Sequence, residues 1–448
     1  MREVTIKYKM VAPDPLRRSR PFRRLQGTPF SLLLLLLLGT SRAQNPTSAL
    51  TLDDCIHLAQ SAPSTVTRAR QQMEIAKYGI RSAQANFLPQ FSIANNFTYN
   101  SPLLFDRNAF SFIDLNGLRE YSSLATSTLE VDTSGRLRAI LEHAQAERDA
   151  ANANLALSAR DLKRAVAASY YRALLARKLA NSAQANLLEA KTFQDRVQLL
   201  VNDGEASQAD LTKASLQTSV FQQALAESTL EVQLANHELA AFWTTDVNVP
   251  LALSDVLDDT PSAPASTQPD APYLQRPEFK LLDAQAAGYR ASAHQARAQL
   301  LPQLNLMFQY GVDALQATSR DRGYAGYAHF EIPVFDWFRA SSESRQFQFQ
   351  ARQVETDKSV AKRLFSKEYQ DALDEVSILY RQIPTAEQQV KLARENLRLS
   401  RLRYEGGEGS ALDVVTAQSE VAQAQVAYYT SRANYLNAQV SLELASGR

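Results

Sequence analysis

Two aspartates stand out by type and spacing. Asp210 and Asp413 each lie six residues beyond a glycine, Gly204 and Gly407. Each closes a four-residue run that opens with serine: Ser207-Gln208-Ala209-Asp210 and Ser410-Ala411-Leu412-Asp413. This is capping-box spacing: the serine hydroxyl accepts from the N–H of the third residue, whose acid reaches back to the serine N–H. Such a cap contributes about 1 kcal/mol to a helix start. Other chemistry finds few residues to work with. The five histidines (His57, His143, His237, His294, His329) are far apart and share no metal-ligand spacing. Gly406-Gly407-Glu408-Gly409 lacks the Lys-Ser/Thr of a phosphate loop and reads as a turn. No nucleophile–base arrangement emerges, so the expectation is no catalysis, no cofactor and no metal. Cys55, the single cysteine, excludes an intrachain disulfide and reads as a small buried residue in a helical context.

The glycines close two very long helical runs. Gly135 to Gly204 has no proline or glycine between its ends, and Phe338 to Gly407 is likewise rich in helix formers and has the same span. At about 1.5 Å per residue, each is a rod roughly 100 Å long. In the first, positions 137, 141, 144, 148, 151, 155, 158, 162, 165 and 169 form a narrow stripe rich in small residues. It repeats at about 3.5 residues, the coiled-coil period. The rod is therefore expected to lie beside similar rods rather than at the centre of a globular core.

Residues 1–43 read as a secretory signal peptide. A basic stretch with Arg17, Arg18, Arg20, Arg23 and Arg24 precedes an apolar run, Phe30 to Gly39, and Ser41 and Ala43 suit a cut before Gln44. The apolar run is short for a membrane span. The leader carries nine Lys/Arg and two Asp/Glu, so the remaining chain has a net charge of −6. A mildly acidic exported chain of mixed charge does not suggest nucleic-acid binding.

The remainder reads as two copies of one pattern. Helices over 51–88 lead to Pro89, with Asp53 and Asp54 near the first helix start and Ser64 as a cap for the second. Strands follow in a hairpin over 90–131, where Phe91, Ile93, Phe97 and Tyr99 alternate with small polar residues. A long helical hairpin spans 135–243. A proline-rich connector without regular structure is expected over 254–277. The second copy (278–448) repeats the first (44–253), with a hairpin over 303–333 and a helical hairpin over 338–445. Ala85-Asn86-Phe87-Leu88-Pro89-Gln90 returns as Ala298-Gln299-Leu300-Leu301-Pro302-Gln303. The second β-hairpin is ten residues shorter while the rods keep their length, which suggests that both rods must reach the same end point.

Strands of about ten residues with one aromatic and one polar face fit a membrane-crossing barrel. Four strands cannot close one, and an open sheet in lipid leaves backbone groups unsatisfied. Either the strands avoid lipid or several chains share a barrel. The paired segments ending in Gln90 and Gln303 carry a resemblance, together with Arg276-Pro277-Glu278 and Val334-Phe335-Asp336-Trp337. So do the paired turns Gly204 to Leu211 and Gly407 to Val414. In their order, duplication and spacing the chain resembles the TolC family of outer-membrane efflux channels over residues 51–445.

That resemblance implies a mainly α fold with a small β part. It implies a homotrimer, with a long α-helical coiled-coil barrel hanging into the periplasm and a twelve-stranded β-barrel in outer-membrane lipid. The connector would lie in an equatorial belt. The partners would be a periplasmic membrane-fusion adaptor and an inner-membrane pump or secretion ATPase. The resemblance puts Gly204, Asp210, Tyr404, Gly407 and Asp413 at a periplasmic tip that closes like an iris. There Tyr404 matches an aromatic of a hydrogen-bond latch and Asp413 an acidic ring position, a role compatible with capping. Three neighbours depart from the pattern: Gly409 replaces a basic latch residue, Thr416 a second acid, and Ala209 sits where a hydroxyl is common. Tyr99, Tyr121, Tyr310, Tyr324 and Tyr327 are candidates for an aromatic girdle at the membrane interface. The reading in another class is a periplasmic coiled-coil scaffold or adaptor whose strands form a small soluble sheet.

Overall fold

The computed structural model describes residues 49–102, 117–263, 271–316 and 318–447. The signal-peptide reading at 1–43 and part of the connector lie outside them. From residue 47 onward the chain forms one compact unit.

The chain enters through α1 (Leu52–Ser61), started by a capping box between Thr51 and Asp54. In α2 (Thr65–Ala85) the expected cap is not made: Ser64 sits at the N-cap, but its buried Oγ bonds nothing. Strands β1 (Gln90–Tyr99) and β2 (Arg119–Val131) follow, then α3 (Arg136–Asn202) and α4 (Gln208–Ala240). The second copy runs α5 (Pro277–Ala298), β3 (Gln303–Ala314), β4 (Arg322–Glu331), α6 (Arg339–Glu405) and α7 (Ala411–Ala445). The two rods, α3 and α6, are 67 residues each. Among the described residues, no helix is long and apolar enough to cross a membrane.

The rod ends have local causes. At the start of α3, Asp132 accepts from the N–H groups of Leu137 and Arg138 at 3.0 and 3.1 Å, and Gly135 takes a left-handed φ of 78°. At the start of α6, Asp336 accepts from the Ala340 N–H at 2.8 Å. There the left-handed positions are held by Trp337 and Phe338 (φ 57° and 63°), not by glycine. The rods are not alike throughout: Pro384 sits inside α6, where it removes one ladder hydrogen bond, and the helix continues past it.

The first rod is also more central than a narrow stripe implies. Leu137, Ala144, Ala151, Leu162 and Ser169 are buried as the stripe requires, but Arg148 and Ala165 are exposed. A second lane, Ala139, Ala146 and Ala153, is buried as well, because α2 and α5 both pack on this part of α3. Farther along, Val166, Tyr170 and Leu174 join Cys55, Leu239, Leu253 and Leu257 in the largest apolar cluster. Burial pushes the Cys55 thiol up to about 11, so it stays protonated and inert. The middle of the rod is thus a core.

Part of the connector is ordered by that core. Leu50 and Leu253 form a parallel bridge, and the Tyr170 hydroxyl donates to the carbonyls of Leu50 and Ser254. Arg432 and Tyr435 of α7 donate to the carbonyls of Asp259 and Ser262. Pro272–Gln275 forms a short 3₁₀ turn. Just beyond it, Arg276 donates to Glu278 at 2.6 Å and to Glu368 at 2.7 Å, and Arg160 reaches the same Glu278 oxygen at 2.6 Å. The Arg276 guanidinium also stacks 3.7 Å over the Phe365 ring. Burial alone would raise the Glu278 carboxyl, but Arg276 and Arg160 hold it below its ordinary value.

The four strands form one antiparallel sheet in the order β1-β2-β3-β4. The β2–β3 pairing, from Val131↔Leu304 to Tyr121↔Ala314, joins the two copies. β1 and β4 are open edges, and every residue of β1 is exposed. At the central pairing, Gly311 leaves no room for a side chain: a Cβ there would lie 2.0 Å from the Ser123 carbonyl oxygen. Gly311→Ala is therefore expected to part β2 from β3 at a cost of about 1–3 kcal/mol or more. Thermal unfolding of the purified protein measures it, with a lower midpoint expected for the variant.

Candidate gate at the helical tip and candidate membrane belt

The tip is built from two nearly identical turns. In the first, Gly204 (φ 80°) lets Gly204 N–H reach the Val201 carbonyl and Glu205 N–H reach Leu200 at 2.8 Å. In the second, Gly407 (φ 76°) places its N–H on Tyr404, and Glu408 N–H on Arg403 at 2.8 Å. Both are Schellman stops, which need a left-handed residue at this position.

The helices that leave the turns differ in their caps. Ser410 and Asp413 make the full box: Ser410 N–H donates to Asp413 Oδ2 at 3.0 Å, and Asp413 N–H to Ser410 Oγ at 3.3 Å. These bonds from Ser410, with Arg403 nearby, hold the exposed Asp413 carboxyl below its ordinary value. Ser207 accepts from the Asp210 N–H at 3.1 Å, but its hydroxyl rather than its backbone N–H reaches the Asp210 carboxylate, at 2.7 Å. Asp210 forms half a box and keeps an oxygen 3.5 Å from Lys213.

Tyr404 does not stand apart as a polar group. It is buried with Phe193, Val197, Leu211, Ala214, Ala411 and Val414, its ring edge-on to Phe193 at 5.3 Å. Its hydroxyl has no partner within the chain, and burial, with nearby Asp210, raises its pKa. Four of the five tip residues thus gather in two matched turns. Tyr404 joins them through the apolar cluster beneath.

The links that tie one helical pair to the other are different residues. Arg401 of α6 pairs with Glu189 of α3 at 2.5 Å. Asn186 donates to Gln425 at 3.1 Å and Gln217 to Ser419 at 3.0 Å. Sequence alone does not find these partners, because which faces meet depends on the rotation of one pair about the other. Buried Gln418 beside them leaves both amide atoms unpartnered within the chain.

At the other end, the register sorts the sheet into two faces, since directly opposed residues share a face and neighbours alternate. One face carries Phe91, Ile93, Phe97, Tyr99, Tyr121, Leu306, Phe308, Tyr310, Tyr324 and Phe330. The other carries Ser92, Asn96, Thr98, Thr126, Thr128, Asn305, Gln309, His329 and Glu331. Tyr327 pairs with Met307 and lies on this polar face, so it leaves the set formed by Tyr99, Tyr121, Tyr310 and Tyr324. Those four do not share one level: Tyr99 pairs with Arg119 near the strand end, whereas Tyr310 pairs with Tyr324 farther along. The histidines stay dispersed. His143, His294 and His329 each approach a single glutamate at 3.8–3.9 Å, and the described residues contain no group of three or more metal-capable side chains.

The architecture has counterparts. The sequence profile of the family described as "Outer membrane efflux protein" matches residues 55–245 and 273–448. The cobalt-zinc-cadmium resistance protein CzcC of Cupriavidus metallidurans is 22% identical over 89% of this chain and 90% of its own length. The toluene efflux pump outer membrane protein TtgF of Pseudomonas putida is 24% identical over 73% of this chain and 69% of its own length. Among solved structures, the open state of the MtrE outer membrane channel of Neisseria gonorrhoeae superposes with a TM-score of 0.78 at 19% identity. It covers 88% of both chains.

Proposed function

The chain belongs to the outer membrane efflux protein family, and from that premise we propose that three copies close their four-stranded sheets into one twelve-stranded barrel. The protein is an outer-membrane efflux channel with a helical part in the periplasm. A periplasmic scaffold without a membrane barrel is not favoured. The observation that carries the trimer is the sheet itself, amphipathic and open at both β1 and β4. In lipid those edges must be paired, and joining β4 of one copy to β1 of the next satisfies them. The apolar face then meets outer-membrane lipid and the polar face lines the lumen. Residues 1–43 act as the export leader, and 254–277 belongs to the equatorial belt. The test is a cross-link between β1 and β4, from cysteines at exposed positions 93 and 326 in a Cys55→Ser background. Dimers and trimers on gels are expected; monomers alone would overturn the trimer.

The tip is the gate, and there the channel meets a periplasmic adaptor and an inner-membrane pump. The duct itself is passive and performs no catalysis. Relatives named for toluene and for cobalt, zinc and cadmium favour small-solute or metal efflux over protein secretion. Three copies of Asp413 around the axis would make an acidic constriction that draws cations. Asp413→Ala is expected to reduce cation selectivity in planar bilayers and to weaken block by multivalent cations. Unchanged selectivity would remove the ring. The pH dependence has a definite sign. The Asp413 carboxyl lies lower in the folded chain than its ordinary 3.8. The charge, and the cap it makes, are therefore fully present above that value and are lost only as pH falls through the depressed one. Selectivity measured by reversal potential should hold through the ordinary carboxylate range and fail only at more acidic pH.

A further inference from the structure

Where β4 passes into α6, the chain exposes four large apolar side chains within five residues. Val334 is 93% exposed, Phe335 61%, Trp337 82% and Phe338 69%. Phe335 packs edge-on to Trp337 at 4.9 Å and to Phe338 at 5.9 Å, so the three rings form one cluster. The matching junction in the first copy, between β2 and α3, is Asp132-Thr133-Ser134-Gly135 and is polar. The backbone sharpens the contrast. Gly135 takes its left-handed φ without steric penalty, whereas Trp337 and Phe338 do so as bulky residues. Glycine at either position would be easier for the fold. A strained aromatic pair left largely exposed by its own chain calls for an external partner.

We propose that this cluster is a lipid anchor, seated at the headgroup–acyl boundary of the outer membrane's periplasmic leaflet. The proposal rests on the barrel reading above. Three observations favour lipid as the occupant. The cluster continues the apolar face of β4, through Phe330 (57% exposed) and Ile332 (55%), past the last strand residue, Glu331. It lies on the helix side of the sheet, where the barrel gives way to the periplasmic rods. Tryptophan and phenylalanine are also the residues that settle at membrane boundaries, with a ring on the apolar side and, in tryptophan, an N–H toward water. Since only the second copy has the cluster, a trimer carries three anchors, one beside each β4. They fix the depth at which the barrel gives way to α6.

The chain has two tryptophans, Trp243 and Trp337, which makes the test direct. The full-length Trp243→Phe protein is placed in phosphatidylethanolamine–phosphatidylglycerol vesicles containing lipids brominated either near the headgroup or near the chain end. Trp337 emission should fall roughly twofold with the headgroup-proximal bromines and less with the distal ones, as expected for a boundary residue. A Trp243→Phe, Trp337→Phe, Tyr324→Trp protein reports on the barrel wall independently. If that reporter is quenched by bromolipid and Trp337 is not, the anchor is overturned and the barrel stands. Quenching of Trp337 by aqueous acrylamide would then place the cluster in solvent. Protection from both quenchers would place it between copies of the chain. If neither tryptophan senses bromolipid, the barrel reading and the anchor fall together.

Discussion

Reversing Arg401 to glutamate should open the resting channel. The change turns the Arg401–Glu189 pair, which ties α6 to α3 near the tip, into a repulsion. Both side chains are about one-third exposed, so a single pair contributes only about 0.5 kcal/mol. The proposed trimer would repeat that term three times, and about 1.5 kcal/mol shifts an open–closed equilibrium roughly tenfold. Open probability in planar bilayers should rise by about that factor. Arg401→Glu combined with Glu189→Arg should return it toward the original value, since the pair is restored with its charges exchanged. A double variant as open as the single one would show that the contact does not hold the gate. Arg401→Ala should give a smaller increase in the same direction, because it removes the attraction without adding repulsion.

The largest loss of stability is expected at the other end of the helices. Arg276 is nearly enclosed and meets Glu278, Glu368 and the face of Phe365 at once. Arg276→Ala leaves the partly buried Glu278 with Arg160 alone and removes the stacked guanidinium. Loss of one member of such a buried network costs about 3 kcal/mol or more. Arg276→Lys should recover little, because lysine lacks the planar, forked guanidinium that lies flat on Phe365 while meeting Glu278 and Glu368. Thermal unfolding of the detergent-solubilised protein measures both. Acid provides a second reading. Glu278 is held below its ordinary value, so its contribution is present above the unfolded pKa and fades as pH falls through the lower, folded one. Without Arg276 the folded value moves back toward the unfolded one, so the acid-dependent loss of stability from Glu278 should be smaller than in the parent.

Much of this fold is written locally. The rod ends could be read because Gly204, Gly407 and the serine–aspartate runs act on their own neighbours. The strands could be read because aromatic and polar residues alternate over ten positions. What failed lies at longer range. The breadth of the core around Val166 depends on α1 and on the segment near Leu253, which no stripe on α3 reveals. The bonds at Arg401, Gln425 and Ser419 depend on how two coiled coils are rotated. Tyr327 was legible after all: it stands three residues from Tyr324, an odd separation that must place the two on opposite faces. Pro384 was visible too, but a long helix held on both sides of it by packing tolerates the missing bond.

The open edges of the sheet have a genetic consequence. In the proposed trimer the open edges β1 and β4 of each chain are completed by two different neighbours, so a faulty copy spoils the two it closes. In a cell that makes equal amounts of parent and Gly311→Ala chains, random mixing leaves about one assembly in eight wholly of parent type. A defect at the sheet should therefore be dominant, and far more severe than halving the gene dose.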